Sequence, residues 1–184
     1  VLQARPETVY GAKRGAVIEV FSLAPDPGRE RLVRGVAIGQ RIGAGPTRHL
    51  RNARDLESFR TGDVLVASMT DPDWEPIMKR AAAIVTDRGG RTCHAAIVSR
   101  ELGVPCVVGT GNGSEVLPDG RVVTVSCAEG ESGSVYRGAL PFERRQVDLA
   151  ALPTCRTKVM LNVGNPGEAF RLAALPNDGV GLAR

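Results

Sequence analysis

The residues predict an α/β domain of layered short sheets with two or more helices, and three observations predict it. Short runs of β-branched and aliphatic residues recur between turn signals. One segment near residues 92–102 instead has helical spacing and stops at Gly103. Aromatic residues make up only 4% of the chain while apolar residues reach 42%, so the core is aliphatic and Ala-rich.

The elements follow in chain order. Residues 1–14 read as a leading tail. Ala16-Val17-Ile18-Glu19-Val20-Phe21, Leu32 to Ile38 and Asp63 to Ser68 each read as a strand. A helix is expected over Asp73–Ala82, with Asp71 as its cap and Pro72 in its first turn. Ala83-Ile84-Val85-Thr86 is a short buried strand ending at the breaker Asp87-Arg88-Gly89-Gly90. His94 to Leu102 has helical patterning from a start at about Thr92, and Gly103 is its natural C-cap. Val104 to Val108 is another buried strand, and Val122 to Val125 follows the turn Pro118-Asp119-Gly120. Residues 139–157 read as a linker, with Leu140-Pro141 and Leu152-Pro153, and an apolar strand begins after Lys158. The expected division is therefore 1–14, a main domain 15–138, a linker 139–157 and a further segment 158–184.

Composition removes several function classes. Lys plus Arg exceed Asp plus Glu by 24 − 20 = 4, but the basic residues are scattered, without runs or interleaved aromatics, which argues against nucleic-acid binding. Cys93, Cys106, Cys127 and Cys155 form no CxxC pair, and only two histidines accompany them, so neither a zinc site nor a disulfide framework is expected. Reduced thiols suggest a cytoplasmic protein. No apolar run approaches the roughly 18 residues of a membrane span. The first residues are not a signal peptide, and both ends read as cuts through a longer protein.

The chemistry concentrates in Gly89-Gly90-Arg91-Thr92-Cys93-His94-Ala95-Ala96-Ile97-Val98-Ser99-Arg100. A strand ends, two glycines permit a tight turn and close approach of a bulky group, and a helix begins. Free N–H groups and the positive end of the helix dipole then gather near His94, where an anion is stabilised. Thr92 can hydrogen-bond the ring or an anion upon it, and Arg91 and Arg100 can add charged donors. Ala95 and Ala96 are expected to keep the surrounding surface flat. Neutral imidazole is nucleophilic near pH 7 and can carry a phosphoryl group. On the residues alone, a core histidine at a helix start is the more ordinary reading. A Cys93–His94 protease pair is disfavoured because neighbours on a helix diverge by about 100°.

These twelve residues resemble the phosphohistidine signature of the PEP-utilising enzymes. The resemblance implies that His94 is the phosphorylated residue, that Thr92 supports it, and that Gly89, Gly90 and Arg91 form the phosphate loop. It also implies a swivelling β/β/α phosphohistidine domain. Cys93 before the histidine, Thr70 to Pro76 and Val125 to Gly130 are similar to the synthase branch of the family. That branch implies the reaction ATP + pyruvate + water → AMP + phosphoenolpyruvate + phosphate, with Mg²⁺ bound mainly by other domains. ATP and pyruvate would be met through adjacent domains of a homo-oligomeric parent. Leu2-Gln3-Ala4-Arg5 resembles the end of an ATP-grasp domain, so Gln3 and Arg5 would contact nucleotide phosphates. Asn162 to Pro166 and Gly179 to Arg184 resemble the opening of a C-terminal (β/α)₈ barrel, in which Arg184 would bind the phosphate of phosphoenolpyruvate. The dikinase branch of the family and a stand-alone phosphocarrier are the alternatives.

Other candidates have plainer readings. Asp71 and Asp73 suit helix capping better than a metal pair. Trp74 is expected to pack, and His49 to be solvated among basic residues. Glu129 and Glu131 stand where they could reach the His94 loop.

Overall fold

The computed structural model describes residues 17–52, 57–148, 155–163, 173 and 175–183. Gln3, Arg5 and Arg184, the tail 1–14, and Asn165 and Pro166 lie outside the described residues. The chain divides into two compact units, Val20–Arg145 and a second drawn from Val1–Glu19 with Gln146–Arg184.

In the first unit seven strands close a barrel: β2 (Arg31–Ile38), β3 (Ile42–His49), β4 (Val64–Ala67), β5 (Ala83–Thr86), β6 (Cys106–Val108), β7 (Val122–Ser126) and β8 (Ser132–Arg137). Around the barrel the order is β2-β6-β5-β4-β3-β7-β8, with β8 returning to β2. β3, β4, β5 and β6 run parallel to their successive neighbours, and the remaining pairs are antiparallel. Three helices are described here: α1 (Glu75–Met78), α2 (His94–Leu102) and α3 (Gly113–Val116).

Side-chain alternation on the parallel strands produces two cores. Val64, Val66, Ala83, Val85 and Val107 point into the barrel, where they meet Val125 and Val135. Leu65, Ala67, Ile84, Cys106 and Val108 point outward and pack against α1 and α2 through Ile77, Met78, Ala95 and Ala96. Strands buried on both faces read as continuous apolar runs, which is why Val64–Ala67 and Ala83–Thr86 were legible. The result is mixed α/β and mostly strand.

Several elements depart from expectation. The helix expected over Asp73–Ala82 is a 3-10 turn, Pro72–Trp74, followed by the four-residue α1. Its chain then turns to enter β5. α2 does coincide with the helical patterning of His94 to Leu102, and it ends at Gly103 in the left-handed conformation, as Gly permits. β3 was not anticipated, because Gly43, Gly45 and Pro46 weaken its strand signal. Those glycines are required: a Cβ on Gly43 would lie 2.2 Å from the Ala82 carbonyl oxygen, and one on Gly45 2.1 Å from that of Gly62.

Two further strands, β1 (Val17–Leu23) and β9 (Phe142–Asp148), pair as a separate two-stranded sheet. β9 occupies part of the segment 139–157 expected to be a linker. The Phe21 and Phe142 rings lie 6.2 Å apart, and Ala24 N–H donates to the Pro141 carbonyl oxygen at 3.2 Å. The division between the units falls within these strands, after Glu19 and after Arg145. In the second unit, β10 (Leu161–Val163) and β11 (Val180–Ala183) pair in parallel. Among the described residues, no helix is long and apolar enough to cross a membrane.

Candidate functional site

β4 and β5 are parallel neighbours, so the chain leaves both at the same end of the barrel. β4 continues into Ser68-Met69-Thr70, and β5 continues into the glycine loop and α2. This places Thr70 against His94, although 24 positions separate them: Thr70 Oγ1 lies 3.0 Å from His94 Nδ1. Thr70 is buried, so its hydroxyl is held in place. The bond engages Nδ1, and Nε2 makes no hydrogen bond among the described residues. With the proton on Nδ1, that N–H donates to Thr70 Oγ1 and the Nε2 lone pair is free for attack.

His94 is the first residue of α2, whose N-cap Cys93 makes no side-chain cap bond. The first-turn N–H groups of a helix lack intrahelical acceptors, so this end offers donors and a positive dipole to an anion. Cys93 N–H donates to the Gly90 carbonyl oxygen at 3.1 Å, and Ile97 N–H to that of Cys93 at 3.0 Å. Gly89 has φ +118, a region that strains any residue with a Cβ.

The other expected residues are distributed around this centre. Thr92 is exposed, and the hydroxyl on the ring belongs to Thr70 instead. Arg91 Nη2 pairs with Glu131 Oε2 at 3.3 Å, so Glu131 does reach the His94 loop; both are exposed. Glu129 instead accepts from the Tyr136 hydroxyl and pairs with Arg29. Arg100 Nη1 donates to the Arg91 carbonyl oxygen at 2.8 Å and braces the loop. Ala95 and Ala96, expected to flatten the surface, are buried in the core between α2 and the barrel. The apolar side chains exposed near His94 are Met69 and Ile97, at 59% and 47%. Arg88, which composition did not single out, is exposed on the same loop.

Asp71 accepts from Asp73 N–H at 3.0 Å and caps the turn before α1. Trp74 is buried. His49, expected to be solvated, is half-buried, and its Nε2 has no hydrogen-bond partner among the described residues. Glu75 lies beside the site: the Lys79 hydrogen bond and charge hold its carboxyl below the usual range, with a smaller contribution from His94. Among the described residues no group of three or more His, Cys, Asp or Glu side chains could hold a metal ion.

Sequence reasoning missed Thr70. The available signal was the pair of short apolar runs, Val64–Ala67 and Ala83–Thr86, whose parallel pairing delivers both following loops to one place.

Fold and site together define a mixed α/β domain that presents one histidine at a helix start, with one ring nitrogen pinned and the other free. Residues 59–130 match the family model described as PEP-utilising enzyme, mobile domain. The phosphoenolpyruvate synthase of Aquifex aeolicus is 52% identical over 187 residues, and that of Deinococcus radiodurans is 56% identical over 184. Each alignment covers the whole of this chain but only 22% and 23% of the respective relative. A solution NMR structure of Enzyme I overlaps 44% of this chain and 33% of its own at 34% identity, with a TM-score of 0.37. Residues 59–130 are thus similar to the mobile domain of the PEP-utilising enzymes, and the chain as a whole is similar to about a fifth of the length of the phosphoenolpyruvate synthases.

Proposed function

We propose that this chain is the phosphohistidine carrier segment of a phosphoenolpyruvate synthase, and that His94 Nε2 carries the phosphoryl group. The observation that carries the reading is the pinned ring: Thr70 occupies Nδ1 at 3.0 Å and leaves Nε2 free at an uncapped helix N-terminus. The synthase names of the relatives support the branch.

In this reading the Nε2 lone pair forms the N–P bond with the β-phosphorus of ATP. The bond to the α-phosphate oxygen breaks, and AMP departs with the electron pair. Water then releases the terminal phosphate, and the remaining phosphoryl group passes to the enolate oxygen of pyruvate. First-turn N–H groups of α2 and the Gly89-Gly90-Arg91 loop stabilise the phosphoryl oxygens, with Thr92 at the loop's end as an additional donor. Gln3 and Arg5 would contact nucleotide phosphates and Arg184 the phosphate of phosphoenolpyruvate, all outside the described residues. Mg²⁺ would be held mainly by other segments of the parent enzyme. The parallel pair β10–β11 suits the opening of a (β/α)₈ barrel, since parallel strands require a crossover between them. Transfer between two remote sites calls for a swivelling domain, and the parent enzyme in this reading is a cytoplasmic homo-oligomer.

The test is labelling of the full-length protein with ATP carrying label on the β-phosphate, without pyruvate. Acid-labile, base-stable label should appear in the wild type and vanish in His94→Asn. Equal labelling of both would place the carrier elsewhere.

A further inference from the structure

Adjacent strands β5 and β6 send two loops to the His94 end of the barrel, and these loops are laced together. Thr110 N–H donates to the Thr86 carbonyl oxygen at 3.1 Å, and Gly111 N–H to that of Asp87 at 2.9 Å. The Thr110 hydroxyl lies 3.1 Å from the Thr86 carbonyl oxygen and 3.3 Å from Asp87 Oδ1. Both carboxylate oxygens of Asp87 are consumed by the second loop. Oδ1 accepts from Ser114 N–H at 2.9 Å, and Oδ2 accepts from the Ser114 hydroxyl.

On its other side the same short segment is tied to the strand exit that carries Thr70. Asp87 N–H donates to the Ala67 carbonyl oxygen at 3.2 Å and Arg88 N–H to that of Ser68 at 2.9 Å. Thr86 Oγ1 donates to the Arg88 carbonyl oxygen at 2.8 Å and shapes the turn between. Asp87 therefore stands where three segments join. One carries the hydroxyl that holds Nδ1, one carries the nucleophile, and the third, residues 109–114, braces the segment that carries the nucleophile. Its half-buried carboxylate makes more bonds than capping the four-residue α3 requires, and it does so seven positions before His94.

We propose that Asp87 is a positioning residue for the transfer carried by His94: by anchoring its loop to residues 110–114 it fixes the ring against Thr70 and so aims Nε2 at phosphorus. The proposal rests on the carrier reading above. In the step concerned, the N–P bond forms as the P–O bond to the leaving nucleotide breaks, its electrons going to that oxygen, while Nδ1 keeps its proton on Thr70. Asp87 touches none of the reacting atoms. Asparagine preserves the clamp: its carbonyl oxygen can accept from Ser114 N–H, and its amide can donate to the Ser114 hydroxyl, reversing one bond. Alanine removes it.

The experiment uses the full-length protein with Asp87→Ala, Asp87→Asn and the double change Thr110→Val/Ser114→Ala. It reads the rate constant and substrate KM for labelling of His94 by ATP. A misplacement of about 1 Å costs about 10²-fold in rate, so Asp87→Ala should label roughly 10²-fold more slowly at unchanged KM. Asp87→Asn should stay within about threefold of wild type, and the double variant, which keeps Ser114 N–H, should fall between. ¹⁵N spectra of the ring should show the Nδ1–H tautomer in wild type and Asp87→Asn, and tautomer exchange in Asp87→Ala. Wild-type labelling by Asp87→Ala, or failure of Asn to rescue, overturns the proposal. Should Asp87→Ala not fold, wild-type labelling by the double variant overturns it equally. Label persisting in His94→Asn would instead sink the carrier reading.

Discussion

Replacing Gly89 with alanine should cost this domain several kcal/mol, whereas the same change at Gly90 should cost nothing. Gly89 holds φ +118, where a residue with a Cβ is strained by about 1–2 kcal/mol. The added Cβ would also lie 2.7 Å from Cys93 Sγ and 3.1 Å from Cys93 Cβ. Overpacking of that kind costs about 1–3 kcal/mol. Alanine restricts the unfolded chain, which returns about 0.4–1 kcal/mol. The balance is a loss of roughly 1–5 kcal/mol, centred on about 3. At Gly90 no atom lies within 4 Å of the added Cβ and φ is not positive, so the entropy gain stands alone. Urea unfolding of the 184-residue chain, followed by circular dichroism, measures both. Cys93→Ala combined with Gly89→Ala should recover part of the crowding but none of the backbone strain, as a double-mutant cycle would report. The reasoning is refuted if Gly89→Ala unfolds within about 0.5 kcal/mol of wild type, or if Gly90→Ala is as damaging.

Three further outcomes follow from the structure. Thr70→Val removes the only hydrogen bond found on the His94 ring among the described residues. It should lower the labelling rate about ten- to a hundredfold while leaving substrate KM unchanged, because positioning and tautomer are lost but the binding groups are not; an unaltered rate would show that the bond does not aim the ring. Burial pushes the Cys127 thiol from 9.0 up to about 11 and raises the Cys106 thiol further. The folded state therefore keeps protons that the unfolded chain releases above about pH 9, so stability should fall from there toward pH 11. Each such thiol contributes up to about 1.4 kcal/mol per pH unit, and Cys127→Ala should flatten the slope by its share when urea midpoints are compared across pH. In the folded chain at pH 8, iodoacetamide should modify exposed Cys155 and half-exposed Cys93 and spare Cys106 and Cys127, as mass spectrometry would reveal.

What the residues determined by themselves was local. Val64–Ala67 and Ala83–Thr86 announced buried strands because both of their faces are apolar. Gly103 ended its helix because a left-handed C-cap favours glycine. His94 at a helix start, after two glycines, already implied an anion-stabilising end. What tertiary structure decided was which distant segments meet. Thr70, rather than nearby Thr92, holds the ring because parallel pairing of β4 and β5 carries two loops to the same end of the barrel. Ser114 clamps Asp87 across 27 positions for a similar reason, through the pairing of β5 and β6. β3 and β9 escaped notice because glycine, proline and charge weaken strand propensity, and only partner strands and close backbone approach make those conformations favourable. Hydrogen bonds and packing depend on separation in space, and periodicity along a chain reports only on neighbours a few residues away.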